Sequence, residues 1–425
     1  MSDLFLLIVM CFFIFFGVTR PYIAFSGYIW VDMLAPQTLT YGFLVGKPIA
    51  MIMGVLCLFS LVLNVKKLTK PRQFTILFLL LLLVFWVTLT TTWALFPEAA
   101  WFKWDGAFKT ILMAVLLCFI ITSKEQLEHC LIIFSLAIGY YVLVAGLKTV
   151  GGGAGYGNTL VSTGTNSGLA ESSTLAMVAV LVIPILLFLK KESVILKDFL
   201  KYTFVSYGAI ILAVAAVIGS GARTGLVALA VLTFSYWSKS KQKIKGVLLI
   251  GCCLLIALIF FVDDDWLSRM ETMKDAKSDA SAQGRMLVWK WTWDFVKETP
   301  LGGGFGAFRA NAGLWQLYAN VPAVGSNPKA FHSIYFETLG EHGYIGFTIY
   351  SLLLLLTYRN NSKLMKEAKR GKVPDWVASL SLSLNNSLIV FCVSGIFIGV
   401  AFSPVIYYLI AFSVVLQKLA YKKND

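Results

Sequence analysis

The 425-residue chain is 58% hydrophobic and 14% charged, with a mean hydropathy of +0.78. Soluble domains carry about 25% charged residues, so a string of soluble domains is excluded and an all-α polytopic membrane protein is expected. The formal net charge of +14 does not point to nucleic acid, because the lysines sit in short loops between apolar runs, where they act as positive-inside topology signals.

Taken in order, Met1–Val18 has an apolar core without a basic start or a small-residue cleavage site. It reads as a first span rather than a signal peptide. Further apolar runs predict spans at 4–18, 43–64, 74–94, 108–122, 130–149, 173–189, 203–219, 221–237, 247–262, 334–357, 376–400 and 404–418. That is about twelve transmembrane helices with both termini cytoplasmic. Segment 21–35 carries Asp32 between Arg20-Pro21 and Pro36, and reads equally as re-entrant, interfacial or a short extra span.

Basic loops at Lys66–Arg72, Lys190–Lys201, Lys239–Lys245, Arg359–Lys372 and Lys418–Lys423 mark the cytoplasmic side, and Ser123–His129 fits with them. The opposite, periplasmic side then receives Phe96–Phe108, Gly151–Ser173, the turn Gly219–Arg223 and the long segment Val262–His332. The chain divides into N-terminal membrane helices (1–261), one large periplasmic loop containing helices (262–333) and C-terminal membrane helices (334–425), all parts of one membrane domain. The seven cysteines lie in or beside apolar runs without metal spacing. No internal repeat of the transporter kind is visible.

The long loop opens on Asp263–Asp265, read as an acidic interfacial turn. Gly284–Trp293 predicts a helix with Trp289, Trp293 and Val296 on one face, resting against the membrane domain. Pro300 stops it, and Gly302–Gly306 predicts a flexible turn. Ser333, Glu337 and Glu341 repeat every four residues and share a helical face. Two carboxylates entering a membrane helix need a basic partner, water or a role. They either orient His332 or the arginines, or only bind one another's partners.

Arg223 stands between apolar runs and needs an anion: either a ligand or an ion-pair partner such as Glu171. Arginine's planar fork suits phosphate. Arg223, Arg285 and Arg309, on one side with His332, suit the holding of a lipid diphosphate leaving group while a histidine takes a proton from an acceptor hydroxyl. His342 and His129 read as structural.

These residues also carry a family resemblance. Ser220-Gly-Ala-Arg223-Thr-Gly resembles a signature of the O-antigen ligase and polymerase superfamily. So does Gly284-Arg285…Trp289…Pro300-Leu-Gly-Gly-Gly-Phe-Gly…His332-Ser…Glu337…Glu341-His-Gly. Arg20-Pro21…Trp30…Tyr41-Gly42 and Asn166–Ala176 are similar to its branch of O-glycosylation ligases associated with exosortase A.

The resemblance implies a GT-C-like, metal-independent, cofactor-free, inverting glycosyltransferase of the bacterial inner membrane. Its donor would be a glycan on undecaprenyl diphosphate. Its acceptor would be lipid A core, a protein or a growing polysaccharide, met at the periplasmic face. His332 would be the catalytic base and Arg223 and Arg285 the diphosphate holders; Arg309 lies outside the core pattern. Two departures are Ser333 where asparagine is common and Ala222 where serine usually precedes the arginine. A polysaccharide polymerase and, from another class, a lipid or solute transporter are the competing functions.

Overall fold

The computed structural model describes residues 2–72, 74–152, 171–197, 202–239, 280–312 and 328–421. Among these residues every regular element is helical. In chain order they are α1 (Asp3–Gly17), α2 (Pro21–Leu34), α3 (Ile49–Leu63), α4 (Phe74–Thr92), α5 (Pro97–Ile120), α6 (Lys124–Val150), α7 (Ser172–Glu192), α8 (Tyr202–Gly219), α9 (Arg223–Lys239), α10 (Ala280–Glu298), α11 (Ile334–Lys369), α12 (Asp375–Ser394) and α13 (Pro404–Ala420).

Six of them, α4, α6, α7, α8, α11 and α12, are long and apolar enough to cross a membrane. A crossing takes about 20 residues at 1.5 Å per residue. α1, α3 and α13 are apolar but shorter. The protein is an all-α, multi-pass membrane protein. The predicted span 247–262 and the acidic run 263–265 lie outside the described residues.

The helices sort by burial. α13 is buried along nearly all its length, from Val405 to Leu416, and α7 from Thr174 to Ile185. Helices that are apolar all round and enclosed by others form the centre of a bundle. α1, α3 and α8 instead turn Phe5, Ile8 and Phe15, Met51, Val55 and Val62, and Phe204, Val205 and Ile211 outward. An outward apolar face is stable in lipid and costly in water. α7 packs against α12, α6 against α8, and α11 against α12 and α4.

Segment 21–35 forms α2, begun by Pro21 and ended by Ala35 in the left-handed region at φ 47°. It packs between α1, α3 and α6 and is buried over most of its length. Its Asp32 is satisfied inside the protein, accepting from Tyr408 Oη at 2.7 Å and from Thr110 Oγ1 at 3.2 Å. His129 lies in α6 rather than in a loop, and its Nδ1 meets Ser26 Oγ of α2 at 2.9 Å.

Two expectations about α11 and its neighbours change. The helix runs through to Lys369, so most of the predicted basic loop from Arg359 is helical. It is also interrupted, because Gly343 is non-helical at φ 65°, ψ −167°. Ile334–His342 is therefore a half-helix set apart from the long stretch that follows.

Candidate functional site

Several helix ends meet at one end of the bundle. Leu95, just past α4, donates its N–H to Gly303 O at 2.9 Å. Gly219, the end of α8, lies against Thr149 near the end of α6, and Gly225 of α9 lies against Ala176 near the start of α7. α5 starts at Pro97, close behind α4. The half-helix starts here too.

The glycine-rich segment after Pro300 is not a loose turn. Gly303 N donates to Gly340 O at 3.1 Å, Gly304 N to Glu341 O at 2.8 Å, and Tyr344 N to Pro300 O at 3.1 Å. Gly302–Gly306 is thus a buried strap laid across the break in α11. It follows this path because Gly302, Gly304 and Gly306 all have positive φ, which glycine adopts without a Cβ penalty. The break and the strap require each other: a Cβ on Gly343 would stand 2.1 Å from Pro300 O.

α10 buries Val288, Trp291, Thr292 and Val296. That stripe is displaced from the predicted one: Trp293 is 51% exposed, and only Val296 of the expected face is fully buried. The displacement arises because Val288 and Trp291 pack with Phe331 and Ala307 of the following segments. Trp289, partly buried, stacks on Phe336 at 5.2 Å between centroids, and its Nε1 donates to Phe331 O at 3.0 Å.

This clamp holds the residue before His332. The residue two after it is held as well, since Ile334 N donates to Gly395 O at 2.8 Å. Between these anchors His332 takes φ 49°, uncommon for a residue with a side chain and costing about 1–3 kcal/mol. Strained backbone of this kind persists only where the surroundings over-determine it. The imidazole is half-buried. Burial holds its pKa below the ordinary 6.5; the nearby charge of Glu171 pulls it upward, while Arg285 and Lys329 push it down further. The ring is therefore neutral, and able to accept a proton, at neutral pH.

His332 and Arg285 are thus brought within electrostatic reach of one another. Arg223 is the first residue of α9, half-buried, behind a turn in which Ser220 Oγ accepts from Ala222 N at 3.1 Å. Its helix packs on the start of α7, whose capping residue is Glu171, one of the charges His332 feels. Arg309 is exposed beyond the strap, its guanidinium carbon 5.8 Å from the Phe308 ring centre.

Glu337 and Glu341 find the cation that two buried carboxylates demand, and it is Lys103 of α5. Lys103 Nζ lies 2.7 Å from Glu337 Oε1 and 2.9 Å from both oxygens of Glu341. Gly306 N donates to Glu341 Oε1 at 2.9 Å, and Ala401 N to Glu337 Oε2 at 2.8 Å. Sequence reasoning missed Lys103 because α5 was expected to begin at 108, which left the lysine in an outer loop. The available signal was a lysine on the same predicted side as an unpaired Glu-x-x-x-Glu. His342 is fully buried, its Nδ1 2.7 Å from Thr90 Oγ1 and its ring between Phe305 and Phe402, a structural setting.

Comparison with known families adds two matches. Residues 208–351 match the family described as O-antigen ligase, a stretch that includes Arg223, Arg285, Arg309, His332, Glu337 and Glu341. Residues 1–194 match a family of unknown function. No curated protein matches the chain.

Proposed function

The chain belongs to the O-antigen ligase superfamily through residues 208–351, and from that membership we propose that it is an inner-membrane glycosyltransferase that moves a glycan from undecaprenyl diphosphate to an acceptor hydroxyl at the periplasmic face. The observation that carries this reading is the setting of His332. It is a half-buried imidazole on a strained, doubly anchored backbone, kept neutral by burial and by Arg285. A neutral imidazole held in place in this way is able to accept a proton near neutral pH, as a general base must.

In the reaction, the acceptor oxygen attacks the anomeric carbon as His332 takes its proton. The bond from that carbon to the diphosphate oxygen breaks, and the diphosphate leaves with the electron pair. Attack opposite the leaving group inverts the configuration. Charge develops on the diphosphate, so its stabilisation accelerates the step. Arg223 and Arg285 supply it, with Arg309 at the rim. Arg223 also stands at the N-terminus of α9, where first-turn amides lack intrahelical acceptors and the helix dipole favours an anion. The step draws on no metal or cofactor. Lipid A core, a protein side chain and a growing polysaccharide each offer a hydroxyl to the same base, so ligase and polymerase activity share this site.

The test is transfer of a labelled lipid-linked glycan in membranes carrying His332→Ala, Arg223→Ala or Arg285→Ala. Each is expected to insert normally and to abolish transfer. Full activity in the histidine variant would sink the base assignment. A transporter is the second reading, favoured by the broken helix and its buried charges. Substrate uptake into vesicles without glycan transfer would support it.

A further inference from the structure

We propose that Lys103 is a positioning residue for His332, an inference that rests on the reading of His332 as the base. The half-helix Ile334–His342 cannot take its alignment from the rest of α11, because the backbone departs from helical geometry at Gly343. Isolated helices shorter than about 12–15 residues are marginal, so its orientation must be imposed from outside.

Backbone bonds from Ile334 N to Gly395 O and from the strap to Gly340 O and Glu341 O hold its two ends, and two carboxylates add the side-chain ties. Through Glu341 the half-helix is joined to Gly306 of the strap, and through Glu337 to Ala401 ahead of α13. Lys103 joins both to α5. The side chains of Glu337 and Glu341 are 6% and 0% exposed, so water does not replace the ammonium as their partner. Glu337 is tied to the residue after His332, its N donating to Ser333 O at 2.8 Å, and its Oε2 and the backbone N of His332 both border Gly399, each 3.6 Å from where a Cβ there would be. A tilt of the half-helix therefore shifts His332 directly. Lys103 does not touch the imidazole, so it acts on the chemistry only through this alignment.

The test uses the full chain in detergent micelles with diethyl pyrocarbonate as probe. The reagent acylates neutral imidazole, and peptide mass spectrometry separates His332 from His129 and His342. The pH dependence of His332 modification reports its burial and charge surroundings, which a merely stabilising lysine would leave unchanged in a folded protein. The wild-type midpoint is expected below 6.5.

In Lys103→Met the midpoint is expected to move up towards 6.5 as His332 becomes more exposed. Transfer is expected to fall about 100-fold, the cost of misplacing a catalytic group by roughly 1 Å. Lys103→Arg, which keeps the charge, is expected to restore the midpoint and most of the transfer. If Lys103→Met does not insert, the charge-free variant combining Lys103→Met, Glu337→Gln and Glu341→Gln carries the same test. A folded variant with the wild-type midpoint and wild-type transfer overturns the proposal. If His332→Ala still transfers glycan while Lys103→Met shifts the midpoint, the base reading fails and the positioning of His332 stands.

Discussion

Replacing Gly343 by alanine tests the strap and the broken helix together. At φ 65°, ψ −167° the residue occupies a region essentially reserved for glycine, costing other residues about 1–3 kcal/mol. The added Cβ would stand 2.1 Å from Pro300 O, 2.5 Å from Leu301 C and 2.7 Å from Gly302 N. All three are backbone atoms, so relief requires the strap to move. Movement endangers the bonds from Gly303 N, Gly304 N and Tyr344 N, each worth about 1 kcal/mol net. Loss of two of them brings the total to about 3–5 kcal/mol. Gly371→Ala is the control. Its φ of 68° is similar, but nothing lies within 4 Å of the new Cβ. It should cost only the left-handed penalty, about 1 kcal/mol. In an SDS unfolding titration of micelle-held protein the two variants should differ by about 2–4 kcal/mol, or roughly 30- to 700-fold in the folded-to-unfolded ratio. A difference below about 1 kcal/mol would refute the claim that the strap locks the break.

The acid limb of the pH profile of kcat/KM should have its midpoint below 6.5, because burial, Arg285 and Lys329 hold the imidazole of His332 below its ordinary value. Arg285→Gln removes a positive neighbour, so any residual activity should show a midpoint moved up in pH; a downward move would contradict the electrostatics. Thr90→Val strips the hydroxyl that meets His342 Nδ1 at 2.7 Å and should cost about 1–3 kcal/mol in the same titration, without moving the His332 midpoint. At Gly146 a Cβ would stand 2.3 Å from the carbonyl oxygen of Leu212. Gly146→Val should push α6 and α8 apart and cost about 1–3 kcal/mol, and a variant as stable as wild type would mean that the two helices are not in close contact.

Much of the candidate site could be named from the sequence because it contains residue types that are expensive in a membrane. Arg223 between apolar runs, and Glu337 and Glu341 one turn apart, each announce a need for a partner wherever they fold. His332 was singled out by its place in a pattern with Arg285 and the glycine run. The identity of the partner for the glutamates was not legible. Lys103 lies more than two hundred residues upstream in the chain, and nothing local to either segment states that α5 and α11 meet. The glycine run showed the opposite failure. Its composition signals freedom, yet hydrogen bonds to Gly340 O and Glu341 O hold it to one path.

The membrane class, the helical character of the chain and the residues to suspect follow from composition and spacing, because bilayer thickness and the cost of burying charge act on each segment alone. The break at Gly343, the path of the strap, the left-handed His332 and the Lys103 tie belong to the tertiary structure. Each arises where segments distant in sequence press on one backbone and leave it a single conformation that satisfies all its neighbours.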